Sequence, residues 1–206
     1  LTGEAGDYAN LHKLLAPIMS ECPTCLLMGN HDDRTNFRGR FVERAGDEQD
    51  VQGRHVAVVD VGPARLILLD SLMYVNKTPG LLGKAQRTWL EAYLQATDDK
   101  PVILCLHHTL GDNDGDLLDV LRLFEIVRSA RKVKAIVYGH SHNFLLSEMD
   151  GIHLMNLPAL GYNFNDAEPL GWVEARFTAE GAELALHAIA GNTDPDGRST
   201  QLRWRT

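Results

Sequence analysis

Three short apolar runs in this chain each end in side chains that bind metals. Cys25-Leu26-Leu27-Met28 leads into Gly29-Asn30-His31-Asp32, Val102-Ile103-Leu104-Cys105-Leu106 into His107-His108, and Ala135-Ile136-Val137-Tyr138 into Gly139-His140-Ser141-His142. Apolar runs of this length, bounded by turn-forming residues, read as buried strands. Strands of a parallel or mixed sheet that end on one edge bring their last residues into the crevice where open α/β sheets bind ligands. Imidazole and amide donors gathered there are a donor set for a first-row transition metal. The pattern confines the chain to an α/β fold and its chemistry to one edge of a sheet.

The intervening sequence fits that frame. Tyr8, Leu11, Leu14, Leu15 and Ile18 recur at helical spacing, so residues 7–20 read as an amphipathic helix, and Pro23 ends it. Residues 31–53 are polar and read as loop with one helical turn. Residues 55–60 and 65–70 flank Gly62-Pro63 as a hairpin. Residues 84–96 form a helix with Trp89, Leu90, Tyr93 and Leu94 on one face. A second helix has Leu117, Leu121, Phe124 and Val127 facing the core, with Asp116 as its N-cap. Asp150-Gly151 marks a hairpin between 144–148 and 152–155. Inward alternation continues at Val173, Ala175 and Phe177 and at Leu184, Leu186 and Ala188. Residues 1–190 read as one domain, and 191–206 as a polar, mobile tail. A chain of 206 residues is long enough to bury roughly 70 % of its unfolded surface.

Composition removes several functions. A net charge of −8 argues against a nucleic-acid surface, and no apolar run approaches the ~20 residues of a membrane span. Three cysteines form no disulfide framework. Cys22-Pro23-Thr24-Cys25 follows a helix, whereas a redox C-x-x-C opens one, and no second pair completes a zinc site. His12, His55, His153 and His187 read as ordinary hydrogen-bonded residues. The 112–116 loop has its glycine at the wrong place for a calcium loop. Tyr162, Asn163 and Asn165, after the last motif, read as plain loop, with a place on the rim of a substrate cleft as the alternative for them and for 112–116.

Gly29-Asn30-His31-Asp32, His107-His108 and Gly139-His140-Ser141-His142, in that order and at strand ends, resemble the later motifs of calcineurin-like metallophosphoesterases. Leu69-Asp70-Ser71, followed by Gly80, Gln86 and Trp89-Leu90, resembles the subgroup of class III cyclic-nucleotide phosphodiesterases and glycerophosphodiesterases. The likeness covers about residues 1–160. Two earlier motifs of that family, Asp-x-His and a strand-end Gly-Asp, have no counterpart; Gly6-Asp7 precedes a helix. The chain therefore resembles a family member lacking its first strand–helix–strand unit, which would leave a raw sheet edge open to association.

The resemblance implies a metallophosphoesterase-like sandwich of mixed β-sheets flanked by helices. It implies a hydrolase for small phosphoesters, foremost phosphodiesters, with two ions of manganese, iron, zinc or cobalt in the intact parent and a metal-bound hydroxide as nucleophile. Asn30, His107 and His140 then correspond to ligands of one ion and His142 to a ligand of the other. His31 corresponds to the acid that protonates the leaving oxygen, oriented by Asp32. His108 either contacts substrate or packs beneath the ions. The fragment alone is expected to be poorly active, and the alternative is a catalytically incomplete binding module on the same fold. The compartment cannot be read from this end of the chain; the cytoplasm is the working expectation.

Overall fold

We describe residues 2–41 and 46–206 of a computed structural model. The apolar runs dictate a layered arrangement. The first helices are α1 (Ala5–Glu21) and α2 (Arg34–Arg40). Then come β1 (Asp47–Gln49), β2 (Val56–Val61), β3 (Ala64–Leu68), α3 (Gly83–Ala96), β4 (Val102–Cys105), α4 (Val120–Ser129) and β5 (Val133–Tyr138). Strands β6 (Leu145–Met149), β7 (Ile152–Asn156), β8 (Pro169–Phe177), β9 (Gly181–Gly191) and β10 (Ser199–Arg203) complete the described elements.

Seven strands form one mixed sheet in the order β1-β2-β3-β4-β5-β7-β6, and three form a second, β10-β9-β8. In the large sheet β3, β4, β5 and β7 run parallel, while β1, β2 and β6 pair antiparallel at its flanks. Period-2 alternation feeds both faces. Val102, Leu104 and Ile136 pack with Leu90 and Leu94 of α3 and Leu123, Phe124 and Val127 of α4. Ile103, Ala135 and Met155 face the other way, onto Ala182 and Leu184 of the small sheet. The architecture is thus helices on a mixed sheet on a second sheet. A third cluster, Tyr8, Met28, Phe37, Phe41 and Leu72, fastens α1 and α2 to the large sheet's rim. Asp150 and Gly151 both adopt positive φ, 54° and 75°, as the tight β6–β7 turn demands.

Several expectations need correction. Residues 25–28 belong to no strand: they pair with none of the described strands, and the Leu26 carbonyl contacts the His55 Nε2 at 3.0 Å instead. A ladder needs a neighbour, and apolar composition alone does not supply one. Gly6-Asp7 lies inside α1, where the Asp7 carboxylate accepts from the Thr2 and Glu4 amides. Leu14 and Ile18 of the same helix are exposed, so its apolar stripe is covered only at the Tyr8 end. Residues 31–53 contain α2 and β1 rather than loop with one turn; positions 42–45 lie outside the described residues. The second helix begins at Val120, leaving Leu117 buried ahead of it and Leu121 exposed. Asp116 does not cap it: its carboxylate closes on Asn113. Asp119 precedes the helix and instead accepts from the Leu82 and Gly83 amides, holding the start of α3.

The stretch expected to be a mobile tail is built into the fold. Strand β10 pairs along β9 from Ser199 to Arg203. Trp204 is 9 % exposed in the core between the sheets. Arg205 donates to the carbonyls of Val127, Ala130 and Val133, tying the end of α4 to the start of β5. Alternation at Leu202 and Trp204 was the signal, masked by polar neighbours.

Candidate metal centre

Neighbouring parallel strands β4 and β5 deliver the site. The Gly139 amide donates to the His107 carbonyl at 3.0 Å, which sets the two strand exits side by side. His107 follows β4, and His140 and His142 follow β5. The loop carrying Asn30 approaches from α1. Asn30 Oδ1 lies 3.2 Å from His107 Nε2, and His140 Nδ1 lies 3.2 Å from the same nitrogen. Donors bound at about 2.1 Å to one ion stand about 3.0 Å apart at right angles and about 3.4 Å apart in a tetrahedron. The spacing and chemistry of these three donors therefore fit a shared cation. Among the described residues no three His, Cys, Asp or Glu side chains are grouped to hold an ion by themselves; here the third donor is the Asn30 amide.

Electrostatics keep the imidazoles in ligand form. Burial pushes His107 down to about 4, helped by the neighbouring histidines, and His108 down to about 3. Burial lowers His140 as well. Neutral rings offer a lone pair, the form a metal takes. Gly29 makes room for this packing: a Cβ there would stand 2.9 Å from His107 Cε1. His140 and His142 adopt positive φ, 73° and 58°, a left-handed conformation that favours glycine and, after it, asparagine.

The remaining site residues fall into different roles. His142 stands apart from the triad, stacked on Phe164 at 4.5 Å and edge-on to Tyr162 at 4.6 Å, and its buried Nδ1 has no hydrogen-bond partner among the described residues. His31 is exposed beside Asn30, with Nδ1 2.8 Å from Asn76 Oδ1. Asp32 does not orient it. Its carboxylate accepts from the Gly29 amide and the Tyr8 hydroxyl, at 2.6 and 2.7 Å, and so holds the Asn30 turn. His108 is fully buried, its Nδ1 2.8 Å from Ser71 Oγ, and its ring packs against those of His107 and His140.

Sequence reasoning missed three supports. Ser71 Oγ accepts from the His107 and His108 amides, at 3.3 and 3.4 Å. Asp70 beside it is completely buried and salt-bridged to Arg34. The Asn76 amide donates to the Asn30 carbonyl at 2.7 Å. Leu69-Asp70-Ser71 was visible as a motif but not as a brace. Asn76 carried no local signal. Burial raises the Cys25 thiol and pushes that of Cys105 up to about 12, away from the reactive thiolate.

A cleft of about 420 Å³ opens on His107, His140 and His142 and continues along Leu157, Pro158, Leu160 and Tyr162. No helix among the described residues is long and apolar enough to cross a membrane.

Comparison with known proteins finds phosphoesterases by sequence and by fold. A probable cyclic nucleotide phosphodiesterase of Rhodopseudomonas palustris is 32 % identical over 158 residues, 73 % of this chain and 56 % of its own length. A glycerophosphodiester phosphodiesterase of Enterobacter lignolyticus is 29 % identical over 167 residues, 76 % of this chain and 58 % of its own. The chain thus spans little more than half the length of these relatives. A dimetal phosphatase from Danio rerio shares the fold with a TM-score of 0.75 at 14 % identity, covering 95 % of this chain and 77 % of that one. The calcineurin-like phosphoesterase model matches residues 2–144. Since that stretch takes in well over half of the sequence, the chain belongs to the calcineurin-like phosphoesterase family.

Proposed function

We propose that this chain contributes the Asn30–His107–His140 part of a metal-dependent site that hydrolyses small phosphoesters, phosphodiesters foremost. The supporting observation is His107 Nε2 in contact with both Asn30 Oδ1 and His140 Nδ1 at 3.2 Å. Manganese, iron, zinc or cobalt suits these donors, and a pair of such ions supplies charge to offset the phosphate and acidity to activate water. His107 and His140, neutral through burial, present ring lone pairs; Asn30 presents its amide oxygen on a turn held by Asp32 and Asn76. His142 supplies a nitrogen toward a second ion. His31, steadied by Asn76, carries the proton for the leaving oxygen.

A second reading, a binding module that holds an ion without turnover, draws support from the same donor set. Among the described residues two imidazoles and one amide converge closely, and no carboxylate joins them. Cobalt titration and hydrolysis of bis(4-nitrophenyl) phosphate with manganese separate the two. Cobalt bound by the wild type, weakened at least about tenfold in His107→Ala and His140→Ala, together with metal-dependent hydrolysis, supports the enzyme. Cobalt binding without hydrolysis supports the module. Failure to bind cobalt overturns both.

A further inference from the structure

The cleft beside the donors sets His107, His140 and His142 in one lining with Pro158, Leu160 and Tyr162. Leu160, Tyr162 and Phe164 are 64 %, 58 % and 74 % exposed. Three bared apolar side chains within five residues, two of them (Leu160 and Tyr162) lining the cleft that opens on the histidines, form the kind of patch that marks a binding surface.

The segment is held rather than loose. Asn163 Nδ2 donates to the Glu168 carbonyl at 2.8 Å, and the Glu168 amide donates to the Asn165 carbonyl at 2.9 Å. The Gly171 amide reaches back to the Ala159 carbonyl, and Glu168 Oε2 accepts from the Phe144 amide. The Tyr162 and Phe164 rings stand 5.5 Å apart and nearly perpendicular, each against His142. Between Leu160 and Tyr162, the Cβ position of Gly161 meets nothing within 4 Å. Fixed rings in open space lose little entropy on binding, which favours stacking by a rigid planar guest.

We infer that Tyr162 and Phe164, with Leu160 beside them, form a subsite for the planar ring of a phosphodiester's organic substituent. The chain then prefers nucleoside or aryl esters to glycerol esters. This rests on the phosphoester reading above and names its substrate class. A glycerol substituent has no flat face to set against the rings, whereas every base has one.

The test compares adenosine 5′-monophosphate with ribose 5-phosphate, which differ only in the ring, by saturation-transfer NMR with zinc present. Wild type should bind the nucleotide at least about tenfold more tightly, and Tyr162→Ala/Phe164→Ala should lose at least about fivefold of that preference. Tyr162→Phe/Phe164→Tyr, which keeps both rings, should retain it. Circular dichroism checks that each variant folds. Equal affinity for the two probes, binding of neither, or a preference that survives the double alanine change overturns the subsite. Bis(4-nitrophenyl) phosphate hydrolysis without a ring preference sinks the subsite alone. A ring preference without hydrolysis sinks the enzymatic reading instead.

Discussion

Replacing Asp70 by asparagine removes a negative charge from a fully buried position. Oδ2 accepts from Arg34 Nε at 2.7 Å and the His55 amide at 3.0 Å; Oδ1 accepts from Arg34 Nη2 at 2.9 Å and the Leu72 amide at 3.0 Å. Arg54 Nη1 lies 3.8 Å away. Asparagine keeps one of these oxygens and turns an NH₂ toward the donors of the other. Two donors lose their acceptor, at about 1–3 kcal/mol each, a total that brackets the about 3–5 kcal/mol expected for breaking a buried pair. Arg34 and Arg54 side chains keep 26 % and 20 % exposure, so water relieves part of the loss, and about 3 kcal/mol is the working figure. Urea denaturation should show a lowered midpoint at unchanged slope, and the melting temperature should fall by about 6–12 °C. An Arg34→Met/Asp70→Asn cycle should show coupling between the two positions. A loss below about 1 kcal/mol in Asp70→Asn would refute the idea that this carboxylate braces the segment carrying Ser71.

Gly29→Ala places a methyl 2.9 Å from His107 Cε1 and 3.0 Å from Nε2; cobalt affinity should fall at least about tenfold, read by absorbance titration. The Arg65 and Lys100 side chains, hydrogen-bonded to Asp60, pull its carboxyl down to about 2, below the about 3.9 of an unfolded chain. Its stabilising contribution is thus present above pH about 4 and lost as pH falls to about 2, and Asp60→Asn should flatten that part of a urea-midpoint profile. Trp204→Ala empties a site packed among Ala182, Leu184 and Ile103 and should cost about 3–5 kcal/mol, measured by the same denaturation; a change within about 0.5 kcal/mol would mean the C-terminal stretch is surface only.

The donors were legible because each signal is local: an apolar run followed at once by His107, His140 or Asn30. Layering was legible for the same reason, since alternation at Val102, Ile103 and Leu104 assigns faces without knowledge of the partner. Whatever depends on distant contacts was not. Asn76 meets His31 across 45 positions, and no spacing rule links them. The Asp32 role was misread because its neighbour in sequence, His31, is not its neighbour in space; Tyr8 is. Cys25–Met28 looked like a strand on composition, but strand identity lies in pairing. Leu121 followed the helical period set from Leu117, yet the helix begins three residues later and turns that side chain outward.

The left-handed backbone at His140 and His142 sets stability against chemistry at two defined positions. Glycine would relieve about 1 kcal/mol or more at each while deleting a nitrogen that the proposed site uses. A library of this protein ranked on thermal resistance alone should therefore enrich glycine or asparagine at 140 and 142. Engineers seeking a hardier version need to hold those two codons fixed.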